Sequence, residues 1–222
     1  MAGRWLAPLV LAFGLVGAAS VAAQDDPHQA LVDRARATVE RFANDPAMAP
    51  LKPALRKGRA AFVVPELIKG GVFLGAAGGS GVLLFRGRTW SDPAFYQLGG
   101  LNLGFQLGGE VSEMILVLMT ERAIDVIMAT DATLGADLSF AIGASNREQS
   151  APPDPDPDVL VFELAKGVYA GHVLEGAAIR PRPDWNRTYY GRPANARDVL
   201  VRRIVATTKA DALKAALTAA LR

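Results

Sequence analysis

The chain has 222 residues, no cysteine, and 24 Lys and Arg against 22 Asp and Glu, a formal net charge of +2. Without cysteine there is no disulfide framework, no thiolate metal site and no cysteine nucleophile, so stability has to come from packing. The length suits one domain with a sizeable core.

Arg4 precedes an apolar run from Trp5 to Val16, followed by small residues ending in Val21-Ala22-Ala23. A positive start, an apolar run too short to span a bilayer and a small-x-small site read as a secretory signal over residues 1–23, with cleavage expected after Ala23. The remainder, 24–222, is expected to be a single soluble domain, periplasmic or secreted. A retained N-terminal anchor is the alternative, weakened by Pro8 and Gly14.

From His28 to Ala43, Leu31, Val32, Ala35, Val39 and Phe42 recur at helical spacing, with Arg34, Arg36 and Arg41 off the stripe. Asp45-Pro46 ends that helix, and a short helical turn is expected after Pro53. Segments 60–64, 71–75, 81–85, 94–98, 101–107 and 111–119 are apolar and punctuated by glycine. They read as successive strands, with Gly78-Gly79-Ser80-Gly81 as a hairpin turn. Glycines inside strands are expected where a sheet bends or another backbone comes close, so the fold class is α+β, a strongly curved antiparallel, barrel-like sheet flanked by helices.

Residues 120–130 carry a helix with Ile124, Ile127 and Met128 on its apolar face, and 133–143 return to the alternation of a strand. The stretch 145–157, rich in Pro and Asp, is expected to be an exposed loop. Residues 159–164 and 168–179 read as a closing strand pair around Lys166-Gly167. A short helix or turn is expected at 184–190 and a helix at 195–203, and 204–222 read as a helical extension whose stripe is Leu213, Leu217 and Leu221.

Charge is segregated along the chain. Between Pro50 and Trp90 seven Lys and Arg face Glu66 alone, and from Arg180 to Arg222 ten face three Asp, whereas Glu110 to Glu163 hold eleven acids against Arg122 and Arg147. If folding gathers the two basic segments, the result is a basic face suited to anionic head groups; otherwise the charges are scattered over a solvated surface.

Motifs for chemistry are sparse. There is no phosphate-cradling Gly-x-x-x-x-Gly-Lys-Ser/Thr, the glycine clusters lack dinucleotide-binding spacing, and Ser80 and Ser139 are wrongly flanked for a nucleophile elbow. His28 and His172 are the only histidines. Glu110, Glu113, Asp137, Glu163 and Glu175 lie in or beside strands and would have to converge in a barrel mouth to act as acid and base or to hold a cation. The basic segments lack the interleaved aromatics of a nucleic-acid module. No catalytic residue, metal ligand or cofactor is assigned, and no nucleic-acid partner is expected.

Along the chain come Lys57-Gly58-Arg59-Ala60-Ala61-Phe62, Lys69-Gly70-Gly71-Val72-Phe73, Gly78 to Arg86, Trp90 to Phe95, Gly99 to Gly109, Leu134 to Ser139, Lys166 to Gly171 and Asn186 to Gly191. In order and spacing these pieces resemble the Ysc84/SYLF family, also described as a Las17-binding or actin-regulator domain. The resemblance implies a non-enzymatic domain that binds membrane lipids, phosphoinositides in eukaryotic members, through basic residues near the N-terminal helix and first strand. In this sequence those are Arg34, Arg36, Arg41, Lys52, Arg56, Lys57, Arg59 and Lys69. Arg59 stands where the family usually has an aliphatic residue. The expected partner of an exported, bacterial-looking member is an anionic lipid or membrane surface, and actin binding is not expected. Alternatives are an envelope structural or protein-interaction module, or an enzyme or metal site built on the acids.

Overall fold

The computed structural model of the chain describes residues 26–71, 74–103, 107–129, 131–145, 156–170, 174 and 176–222. The expected signal sequence, most of the Pro/Asp-rich stretch, His172 and Glu175 lie outside the described residues. Strands β1 (Ala60–Gly71), β2 (Leu74–Phe85), β3 (Ala94–Leu103), β4 (Leu107–Leu118), β5 (Ala132–Thr133), β6 (Phe140–Ser145), β7 (Val159–Ala170) and β8 (Ala178–Pro181) form one sheet. Its order is β5-β8-β3-β2-β1-β4-β7-β6, curled strongly into a half-barrel. The helices are α1 (Pro27–Asn44), α2 (Leu51–Lys57), α3 (Glu121–Ala129), α4 (Pro183–Tyr190), α5 (Ala196–Leu200) and α6 (Asp211–Ala219). The architecture is therefore α+β, as expected.

Alternation along the strands gives the sheet two apolar faces. Phe62, Val64, Leu83, Tyr96, Leu116 and Val161 point to one, which α3 and α5 close with Ala123, Ile127, Val199 and Leu200. Ala61, Val63, Leu84, Phe95, Ile115 and Phe162 point to the other, which α1 covers with Leu31, Val32, Ala35, Val39 and Phe42. A sheet buried on both sides explains why its strands read as continuous apolar runs. α6 adds Leu213 and Leu217 to the α1 side. It is tethered by Lys214, whose ammonium lies 2.7 Å from Asp92 and 2.9 Å from Asp211. Burial works against that ammonium, but the hydrogen bonds to both carboxylates outweigh it and raise its pKa above the ordinary lysine value.

The irregularity that matters most is in β1. Val63 pairs with Val82 but Glu66 with Ser80, and Val64 pairs with Met114 but Leu67 with Ser112, so β1 carries one extra residue against both neighbours. Pro65, which has no N–H to donate, sits in this bulge. A bulge inverts the alternation beyond it. Even-numbered residues face α3 before it, while Leu67 and Lys69 do so after it, leaving Glu66 and Ile68 exposed. The glycines of β2 fit the same feature. A Cβ on Gly79 would stand 2.4 Å from the Glu66 carbonyl oxygen, and one on Gly81 2.4 Å from that of Val63.

Several boundaries differ from the sequence expectation. Gly78 to Gly81 is no hairpin turn; it runs through the middle of β2 for the reason just given. Residues 94–103 are one strand, not two. Residues 133–143 break at a turn over 135–137, where the Asp137 carboxylate accepts from the Thr133 N–H at 2.9 Å. β7 continues straight through Lys166-Gly167 along β4. Residues 178–181 instead pair with β3 on the far side of the sheet, so 159–179 is not a hairpin. The sheet is antiparallel except for β6, which lies parallel to β7.

Candidate functional site

Of the eight cations singled out in the sequence, seven lie exposed on α1, α2 and the start of β1. α1 starts at Asp26, whose carboxylate accepts from the His28 N–H at 3.0 Å and contacts His28 Nδ1 at 2.9 Å. Burial disfavours that charge, but the His28 hydrogen bonds hold the Asp26 pKa below its ordinary value. With the apolar stripe on the sheet, Arg34, Arg36 and Arg41 face outward. Arg36 lies 3.6 Å from Glu40 one turn on. Arg41 pairs with Glu113, which also accepts from Thr38 Oγ1 at 3.0 Å.

α2 presents Lys52, Arg56 and Lys57 to solvent while Leu51, Ala54 and Leu55 are buried. Arg56 Nε donates to the Leu221 carbonyl at 2.6 Å and Nη2 to that of Arg222 at 3.3 Å. Arg59 lies 3.3 Å from Glu121, both side chains mostly exposed. Between α1, the 48–52 turn and α6 runs a groove of about 690 Å³. Met48, Leu51 and the alanines of α6 make it largely apolar, and Arg36, Lys52 and Arg222 line it together with Glu40.

Two cations not singled out extend this group. Arg86 donates from Nε to the Gly58 carbonyl at 2.9 Å and from Nη2 to that of Arg56 at 2.8 Å. Arg203 donates to the Thr89 carbonyl at 2.8 Å. The two basic segments of the chain therefore meet, through Arg56 at Leu221 and Arg203 at Thr89. Their segregation along the sequence was the signal for this; the pairing partners, being backbone carbonyls, left none. Carbonyl partners fix a guanidinium without cancelling its charge.

Lys69 has to be removed from the exposed set. It is 6% exposed on the α3 face, and its ammonium contacts Glu110 at 3.1 Å and also Glu163. Ser112 Oγ donates to the same Glu110 oxygen at 2.9 Å. The bulge at Val64–Pro65 turns Lys69 inward. The acids do not gather as one set. Glu110 and Glu163 meet on Lys69, Glu113 faces the other way onto Arg41, and Asp137 closes its own turn. Among the described residues no group of three or more His, Asp or Glu is placed to hold a metal ion.

Asp158, just after the Pro/Asp stretch, is buried. It accepts from Thr120 Oγ1 at 2.6 Å and Ser139 N at 3.1 Å and pairs with Arg122. It ties the start of α3 to the β6–β7 edge.

The family profile described as Ysc84, Las17-binding protein actin regulator, matches residues 99–220, more than half of the chain. The chain belongs to the Ysc84 family. It is 34% identical over 153 residues to the SH3 domain-containing YSC84-like protein 1 of Bos taurus, covering 67% of this chain and 45% of that protein. It is 33% identical over 140 residues to the Homo sapiens protein of the same name, covering 61% and 41%. Protein YSC84 of Saccharomyces cerevisiae is 28% identical over 170 residues, 73% of this chain and 36% of that protein. The chain thus spans less than half the length of these Ysc84 relatives. No solved structure matches it.

Proposed function

We propose that this Ysc84 domain is a non-enzymatic module of an exported protein, periplasmic or secreted, that docks reversibly on anionic lipid surfaces. The observation that carries the reading is the basic arc running from the exposed Arg222, Arg56, Lys57 and Arg59 through the half-buried Arg86 to the exposed Arg203, with the largely apolar α1–α6 groove at one end. Each Lys or Arg near an anionic surface contributes about 1 kcal/mol, so a handful holds a protein there reversibly. Among the described residues no helix is long and apolar enough to cross a membrane.

The test is sedimentation with vesicles of phosphatidylglycerol or of phosphatidylcholine. Recovery is expected only with the anionic lipid, falling as salt rises, and lost in the triple variant Lys52→Glu, Lys57→Glu, Arg59→Glu. Equal recovery on both lipids, or binding indifferent to salt, overturns it. The family's description as Las17-binding favours a second reading, a protein-interaction module. Binding to a purified protein ligand that survives the triple substitution while vesicle binding is absent would support that reading instead.

A further inference from the structure

Among the described residues four large aliphatic side chains stand well exposed, in two pairs: Ile68 at 57% and Val111 at 43%, and Val201 at 51% and Ile204 at 58%. Ile68 and Val111 are cross-strand partners on β1 and β4. Their surroundings are mixed in charge, with Glu66 exposed, Lys166 paired in register with Val111, and Lys166 4.0 Å from Glu113. Val201 and Ile204 lie at the opposite end of the sheet, in the loop that follows α5.

That loop is held in place, so its exposed aliphatics are not a frayed end. Leu200 and Val205, which bracket it, are buried in the core on the α3 side. Val201 N donates to the Arg197 carbonyl at 3.1 Å, Arg202 N to the same carbonyl at 2.9 Å and Ile204 N to that of Asp198 at 3.1 Å. Between the two aliphatics Arg203 takes φ +52°, a left-handed conformation rare for a side chain of this kind. Its guanidinium is fixed at 2.8 Å on the Thr89 carbonyl and 3.2 Å on the Thr89 hydroxyl.

The charge around Val201 and Ile204 is one-sided. Arg197, Arg202 and Arg203 belong to the same segment, and Arg86 and Arg197 line with Val201 and Arg203 a depression of about 330 Å³. Arg88 is exposed on the connection between β2 and β3. Against them stand Asp125, in the same depression, and Asp198, bound by Arg202 at 3.0 Å. Exposed aliphatics ringed by arginine match an anionic bilayer, whose head groups meet the guanidiniums while the side chains enter the acyl boundary. They match a neutral apolar groove poorly, since the arginines would lose water without gaining a counter-charge.

Resting on the lipid-docking reading, we infer that Val201 and Ile204 are the membrane-inserting point of the domain and that Arg86, Arg88, Arg197, Arg202 and Arg203 seat it on anionic head groups. This end of the sheet continues the basic arc, because Arg86 reaches the Arg56 and Gly58 carbonyls at the end of α2.

The absence of cysteine allows a single labelled site in each variant. Ile204→Cys and Ile68→Cys, each carrying an environment-sensitive fluorophore, are mixed with phosphatidylglycerol/phosphatidylcholine vesicles. The expected result is a blue-shifted, brighter signal at 204, quenched by lipids with a nitroxide on the acyl chain, and no change at 68. The double variant Val201→Ser, Ile204→Ser, with both side chains already in water, is expected to stay folded and to bind these vesicles about tenfold more weakly. If the protein sediments with vesicles but the label at 204 is silent, or the double variant binds like the parent, the inference fails while lipid docking stands, and the two aliphatics belong to a protein contact. A response at 68 and not at 204 overturns it in favour of the opposite end. A protein that does not bind anionic vesicles at all overturns the docking reading and this inference together.

Discussion

Lys57 and Lys69 stand on either side of the start of one strand, yet they have opposite fates. Lys57 ends α2 exposed, within the basic arc. Lys69 is buried against Glu110 and Glu163. Both lie in the basic stretch before Trp90, and both precede a glycine. Lys57 is carried on the outer side of α2, whereas one extra residue at Val64–Pro65 turns Lys69 onto the α3 side of β1. One end of the sheet thus has its charges matched internally. The other leaves them facing solvent, where they are available to a partner.

The largest expected effect lies at the matched end. Lys69→Met removes the ammonium between two buried carboxylates, and taking one member out of a buried ionic cluster costs about 3–5 kcal/mol. Urea denaturation should show that loss, and Glu163→Gln added to Lys69→Met should recover part of it. A Lys69→Met protein as stable as its parent would mean that the comparison between the two ends is wrong.

Next in size is the bulge that creates the difference. Gly79→Ala puts a methyl 2.4 Å from the Glu66 carbonyl, and the backbone has to shift. The expected cost is about 2–3 kcal/mol. Gly78→Ala, one residue earlier in the same strand with nothing within 4 Å of the new methyl, is the matched control. It is expected to be neutral or stabilising by about 0.5 kcal/mol. Equal effects from the two substitutions would argue against a close approach at Gly79.

Much of this arrangement was legible in the sequence, for identifiable reasons. α1 and α3 announce themselves by apolar spacing, and a glycine-rich, curved sheet follows from glycine inside apolar runs. The bulge was not legible, because a one-residue slip leaves the apolar pattern on both sides intact and shows only in the pairing. Lys69 falls outside the strand expected over 60–64, whereas β1 runs on to Gly71 and the bulge turns that side chain inward. Likewise Gly78 to Gly81 looks like a turn until the strand lying over it is seen. The partition of the acids depends on which strand lies beside which: Glu113 is three residues from Glu110 and so faces the opposite side of β4. Arg86 and Arg203 are held by backbone carbonyls, which no side-chain pattern announces.

A smaller effect is expected at the edge joining α3 to β7. Asp158→Ala leaves the Thr120 hydroxyl and the Ser139 N–H without their acceptor and Arg122 without its pair. A hydrogen bond to a charged, buried acceptor contributes about 1.5–3 kcal/mol, so a loss near 2 kcal/mol should appear in denaturant unfolding. Asp184→Ala removes an exposed pair with Arg182. The hydrogen bond from Arg182 holds the Asp184 carboxyl below its ordinary pKa, so its contribution is present above the unfolded value and lost as pH falls through the folded one. Its exposure keeps the effect small.

The smallest effect on stability belongs to Lys57, and it separates folding from binding. Lys57→Met removes an exposed charge at the end of α2, and surface substitutions of this kind stay within about 0.5 kcal/mol. Docking on an anionic surface, by contrast, should weaken by about 1 kcal/mol, roughly fivefold in vesicle affinity. Lys57→Arg should restore it, because a surface of head groups responds to the charge more than to the shape of the group that carries it. At Lys69 the order reverses: a large loss of stability, with vesicle affinity unchanged for whatever fraction remains folded. If Lys57→Met leaves affinity untouched while salt still abolishes binding, the contact lies farther along the arc, toward Arg86 and Arg203. The exposed end would then divide into a part that touches lipid and a part that does not.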